Sequence, residues 1–334
     1  MNRRLPVLLL AVLLALSLCL LSGTAHAVQV VATLPWLGDL TRQVAPDAQV
    51  TVLARGNEDP HYLSPTPALM ARVGKADLFV ENGMNLELWS GRLLDGAGNP
   101  RIRVGQPGHV YASTGVPRLQ VPTNLSRSQG DLHPAGNPHI WLDPLNIPMA
   151  AANIAEGLAR VDPAGADGYR QRAAAYSARV HQALFGADLV GFIGAPGLVK
   201  LARAGRLDEF LAAKGLSGRL GGWLGTATRG RPVVFYHQSW AYLVDRFDMK
   251  VVGYVEDRPG VAPSAGHKAR LTEAMAIADC ELIAITAYYN DRVAKSLAAG
   301  TGARLVQVPG DVGGVPGVDN YIQLMDRLVA DLLQ

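Results

Sequence analysis

Cysteine is nearly absent: the 334-residue chain has two, Cys19 and Cys280. Cys19 lies in an N-terminal stretch expected to be removed. No disulfide framework is then available, and stability must come from the core and from any ligand. Charge is sparse too, at 18% of residues, and no basic stripe remains that would read nucleic acid. There is one long apolar run, residues 5–21, and it is short for a membrane span. There is no His-Glu-x-x-His, no nucleophile elbow around a serine and no glycine-rich phosphate loop, so the common sequence marks of an enzyme are missing.

The apolar run makes sense as a leader. Arg3 and Arg4 precede it, and Ala25-His26-Ala27 follows as a small-residue cleavage signal. Cleavage is expected after Ala27, which exports the mature chain to the periplasm. A lipoprotein signal fits poorly, because Leu16-Ser17-Leu18 puts a bulky leucine just before Cys19. The leader carries two arginines and no acid, so its removal lowers the formal charge from +3 to +1. Cys280 sits in Ala278-Asp279-Cys280-Glu281-Leu282-Ile283, which reads as the approach to a buried strand and makes it a small hydrophobe rather than a reactive thiol.

The rest is ordinary globular composition, 49% hydrophobic, long enough for one large core or two modest ones. Strands are expected over 28–34, 49–54, 77–81, 102–104, 233–236, 250–255, 282–286 and 304–308. Helices are expected over 35–44, 67–75, 86–94, 144–158, 165–184, 239–247, 267–278, 291–299 and 319–333. That alternation predicts an α/β protein of two lobes, each a mostly parallel sheet flanked by helices. The chain divides into a leader (1–27), an N-terminal lobe (28–145), a linking helical segment (146–186) and a C-terminal lobe (187–334) with a glycine-rich insertion near 187–230.

Three histidines stand out: His61 and His237 where ligands of such sheets collect, outside the carboxyl ends of strands, and His139 in a stiff loop. His61 lies in Asp59-Pro60-His61-Tyr62-Leu63-Ser64-Pro65-Thr66-Pro67, after the second strand. His139 lies in Asn137-Pro138-His139-Ile140-Trp141-Leu142-Asp143-Pro144, and His237 closes Val233-Val234-Phe235-Tyr236-His237. Prolines stiffen the first two loops. Neutral imidazole suits zinc and other first-row metals, whereas magnesium or calcium would want oxygen. A carboxylate would complete a four-coordinate site; Asp311, Glu256, Asp319 and water are the candidates. Asp311 follows a strand between glycines, and Asp319 reads better as a cap of the last helix. His133 admits three readings: an extra donor, an outer ligand that hands metal inward, or a turn residue. His109 and His267 lack a ligand-like context.

These motifs, in this order, resemble the metal-specific substrate-binding proteins of ABC importers. Asn137 to Pro144 is similar to the second ligand motif of that family, Asp59 to His61 with Ser64 to Pro67 to the first, and Tyr236-His237 before a helix to the third. The resemblance implies two α/β lobes joined by a long rigid helix, here within 162–184. It implies a zinc ion between the lobes, or manganese or iron, held by His61, His139 and His237, with an aspartate near the C-terminus as fourth; Asp311 is the nearest match. It also implies a monomer that delivers to an ABC permease in the inner membrane, with a metallochaperone as a further candidate partner. Manganese members often replace the third histidine with glutamate, so His237 points to zinc. An exported zinc hydrolase using the same histidines is the competing class; it would need an open coordination position beside a carboxylate base. A receptor for a chelated metal is the third possibility.

Overall fold

The computed structural model describes residues 27–122, 133–258 and 261–334. Apart from Ala27, the expected leader falls outside them, as does Asp131. The N-terminal lobe holds β1 (Gln29–Ala32), β2 (Gln49–Val52), β3 (Leu78–Glu81) and β4 (His109–Tyr111), in the order β2-β1-β3-β4. The C-terminal lobe holds β5 (Pro232–Phe235), β6 (Lys250–Tyr254), β7 (Leu282–Thr286) and β8 (Arg304–Val308), in the order β6-β5-β7-β8. Every pairing is parallel, as helical crossovers between successive strands require.

The N-terminal lobe's helices are α1 (Pro35–Val44), α2 (Pro67–Val73) and α3 (Ser90–Ala97). Two helices follow between the lobes, α4 (Ile147–Val161) and the 20-residue α5 (Ala166–Phe185). Four short helices come next: α6 (Ala187–Ile193), α7 (Ala195–Arg203), α8 (Leu207–Ala213) and α9 (Gly222–Thr226). The C-terminal lobe adds α10 (Ala241–Phe247), α11 (Ala265–Ile277), α12 (Arg292–Thr301) and α13 (Tyr321–Leu333). None of these helices is long and apolar enough to cross a membrane.

Strand alternation builds the layers. Val30 and Ala32 face the main core and Val31 faces a smaller outer cluster; Val233 and Phe235 face the main core and Val234 its own outer cluster. The main core is continuous through both lobes because α5 buries Tyr169, Ala173, Tyr176, Val180 and Leu184 at helical spacing. Cys280 is buried in the C-terminal outer cluster.

Two expected elements differ. Residues 102–104 are not a strand: Asn99 caps a short 3₁₀ turn over Pro100–Ile102, its side chain accepting from Arg101 N–H. The edge strand comes later, as β4. The helix expected over 86–94 is Ser90–Ala97, because Gly83, Met84 and Asn85 all take left-handed backbone (φ 85°, 58° and 63°) and hold the chain in a turn. The final helix is capped by Asn320, whose side chain accepts from Gln323 N–H at 3.0 Å, rather than by Asp319.

Candidate metal centre

His61 sits in the loop after β2, at the carboxyl end of the sheet. The Trp89 indole donates to Pro60 C=O at 3.0 Å and fixes that loop. Asp59 Oδ1 then accepts twice from His61, from its backbone N–H at 3.0 Å and from its ring Nδ1 at 2.7 Å. The second motif repeats this construction: Asn137 Oδ1 accepts from His139 N–H at 3.1 Å and from ring Nδ1 at 2.9 Å. Both are an Asx-Pro-His unit in which a short side chain folds back onto its own backbone. His237, just beyond β5, gives Nδ1–H to Glu256 Oε2 at 2.8 Å. His133 Nδ1 lies 3.1 Å from Asn85 C=O.

Each Nδ1 therefore faces an oxygen acceptor, which sets one tautomer: hydrogen on Nδ1, lone pair on Nε2. Oxygen partners of this kind orient metal-binding imidazoles and raise their basicity. The four rings gather around His61, with centroids 5.1 Å from His133, 5.3 Å from His139 and 6.4 Å from His237. His61 Nε2 and His133 Nε2 are 3.1 Å apart. Two nitrogens that share one tetrahedral zinc stand about 3.3 Å apart, given Zn–N bonds of about 2.0–2.1 Å. At that spacing two lone pairs repel unless a proton or a cation lies between them. His139 Nε2 is buried without a hydrogen-bond partner among the described residues. Such an orphan needs a reason, and a ligand atom is one. Among the described residues no group of three or more His, Cys, Asp or Glu side chains is placed so that it could hold a metal ion; what the fold supplies is the tautomers and the nearness of the rings.

Electrostatics agree with a site for a cation. Burial holds the His139 ring well below the usual imidazole range, and His61, His133 and His237 push the same way. Burial raises Asp59, but its hydrogen bonds and charge interaction with His61 outweigh that and keep it below the usual carboxylate range. The Tyr289 ring lies 5.6 Å from that of His237, tilted by 37°.

Two of the candidate carboxylates, Asp311 and Glu256, have hydrogen-bond partners of their own. Asp311 Oδ1 accepts from Trp36 N–H at 2.9 Å, in the first turn of α1, and from Val312 N–H at 2.7 Å. Burial holds its carboxyl well above the usual range. It approaches the histidines by way of Trp141, whose indole donates to Gly310 C=O at 3.0 Å and whose ring lies 5.3 Å from His139. Glu256 stands behind His237. Asp319 is exposed at the start of α13. His109 pairs with Glu81 at 3.0 Å inside the N-terminal lobe, and His267 Nε2 meets Tyr254 C=O at 2.8 Å. Sequence reasoning missed Asn137 and Asn85 as partners. The signal for Asn137 was the repeated Asx-Pro-His; Asn85 had none.

A family profile described as zinc-uptake complex component A, periplasmic (ZnuA), matches residues 30–184 and 222–334. The chain belongs to the ZnuA family. Among its relatives, the iron-binding protein YfeA of Yersinia pestis is 29% identical over 48% of this chain and 47% of its own length. The zinc-binding lipoprotein AdcA of Streptococcus pneumoniae R6 is 26% identical over 80% of this chain and 47% of its own. The chain spans about half the length of the curated relatives it matches. The solved Mn-bound periplasmic metal-binding protein of Candidatus Liberibacter asiaticus shares the fold, with a TM-score of 0.64 and 20% identity over 91% of this chain and 98% of that one. The ZnuA-family relatives named here are metal-binding proteins rather than enzymes. Residues 185–221 fall outside the profile; α6, α7 and α8 occupy them.

Proposed function

We propose that this chain is a periplasmic substrate-binding protein that captures one divalent metal ion, zinc in preference to manganese or iron, between its lobes and delivers it to an ABC permease in the inner membrane. The observation that carries the reading is the gathering of three imidazoles around that of His61, all four with Nδ1 against an oxygen. His61, His139 and His237 are the proposed ligands. For the fourth place, His133 is favoured because its Nε2 lies 3.1 Å from that of His61, while Asp311, with one oxygen committed to two backbone N–H groups, is the alternative. An all-nitrogen shell favours zinc on ligand softness. The manganese and iron readings keep their footing in the relatives, whose names include an iron-binding protein and a Mn-bound one.

The test is competitive reloading of stripped mature chain with zinc and manganese, beside His139→Ala and His237→Ala. One tightly held zinc per chain is expected, with affinity lowered in each variant by more than the roughly 100-fold that loss of an outer partner costs. Preference for manganese would keep the site and change the cargo. Unchanged affinity in His139→Ala would sink the ligand assignment.

A further inference from the structure

We propose that Asn137 is a positioning residue that latches the two lobes together across the metal, and so sets the rate of metal release; this rests on the metal reading above. Asn137 is buried and its side-chain amide is fully used. Oδ1 accepts from His139 N–H and ring Nδ1. Nδ2 donates at 2.9 Å to Gln238 C=O, the residue after His237, and at 3.0 Å to Gln120 Oε1. An amide has two acceptor sites and two donors, and here all four are engaged. One half orients a ligand in the N-terminal lobe. The other half grips the backbone beside the ligand of the C-terminal lobe. Gln120 adds a second arm, since its side chain also hydrogen-bonds Tyr254 at the end of β6. Opening the lobes to release metal therefore requires breaking the donor half while the acceptor half still holds His139.

The two halves can be separated chemically. Asn137→Asp keeps an acceptor for His139 but can donate nothing, so a carboxylate then faces Gln238 C=O, while Gln120 can turn its amide to donate to it. If Asn137 only orients His139, this variant should hold zinc as tightly or more tightly, because carboxylate-backed imidazoles are the more basic ligands. The latch predicts the opposite sign, zinc release faster by about tenfold or more. Gln120→Gly tests the second arm. Gln120 is exposed and has φ 51°, a conformation that glycine adopts without strain, so this variant should fold. It should release zinc roughly three- to tenfold faster, the effect of one or two neutral hydrogen bonds.

The experiment is stopped-flow transfer of zinc from loaded full-length mature protein to excess chromophoric chelator, with wild type and His139→Ala alongside. Faster release in both variants supports the latch, and faster release in Asn137→Asp alone supports its Gln238 arm. Release in both at the wild-type rate or slower overturns it. Should Asn137→Asp not fold, Gln120→Gly decides alone. Zinc that binds wild type tightly but not His139→Ala keeps the metal reading even where the latch fails. Wild type that takes up no zinc brings down both.

Discussion

The two lobes share one plan and bury different chemistry. Their sheets have the same strand order and all-parallel pairing. At the carboxyl end of β7 the C-terminal lobe is apolar up to Thr286. At the equivalent end of β3 the N-terminal lobe buries Glu81 and Glu87, with His109 beside them. The same lobe and the loop leaving it supply His61, His133 and His139, whereas the C-terminal lobe supplies His237 alone. Duplication of the architecture has not duplicated the site. Most of the proposed donors sit on one side, and the other side contributes one ring and the backbone that accepts from Asn137. On the proposed ligand set, affinity would be set mainly in the N-terminal lobe, and the hold of one lobe on the other would govern opening.

The sharpest way to break that comparison is to cut the lobes' strongest polar tie. Arg246, on α10, forms a bidentate pair with Asp143 at 2.7 and 2.9 Å, both side chains less than a tenth exposed. Asp143 ends the segment that carries His139. Arg246 also donates to Ala202 C=O of α7, and Arg203 donates to Leu145 C=O at 2.8 Å, so the segment outside the family profile is fastened at this joint. Arg246→Met leaves Asp143 buried without its charged partner, with only Leu145 N–H still donating to it, and is expected to cost about 3–5 kcal/mol, read as a lowered urea midpoint. A loss under about 1 kcal/mol would mean the lobes are held by their shared apolar core and not by this pair.

Next in size are the carboxylates behind the ligands, one in each lobe. Asp59→Asn and Glu256→Gln keep an oxygen acceptor but remove the charge from behind His61 and His237. Each is expected to weaken zinc binding by about 10–100-fold, measured by chelator competition. If His61 is the hub, Asp59→Asn should cost more. Equal costs would make the two sides electrostatically alike and erase the asymmetry.

The plan of the fold was legible because parallel strands buried on both faces stand out from the helices between them. Leu282–Thr286, buried throughout, has the expected bounds, and so does the edge strand Arg304–Val308, marked instead by its β-branched and apolar residues. β4 was not legible, being three residues long and preceded by Gln106-Pro107-Gly108. The helix near 86–94 was misplaced because its apolar spacing gives no hint that Glu87 turns inward to accept from Asn82 and Gly83 N–H. At the site, prolines marked the loops of His61 and His139. Asp311 was read in a ligand-like loop, but its Oδ1 is taken by Trp36, 275 residues away in the chain, a partner that only tertiary structure can supply.

The smallest expected effect sharpens the comparison most, because it concerns a buried carboxyl that, among the described residues, has no counterpart at the carboxyl end of β7. Burial, then the nearby Glu81 charge, push the Glu87 carboxyl up to about 8, against hydrogen bonds from Thr33, Asn82 and Gly83. Its ordinary value is 4.5. Between those two values the folded chain binds the proton that the unfolded chain has released, so stability falls as pH rises through that window and levels off above it. Glu87→Gln cannot ionise, and it puts an amide where Gly83 N–H needs an acceptor. Wild type should therefore be the more stable at pH 5, and its margin should shrink toward pH 9 in urea unfolding of metal-free protein. A margin that does not change with pH would mean that Glu87 ionises alike in both states, and that the lobes differ in which residues they bury but not in how pH acts on them.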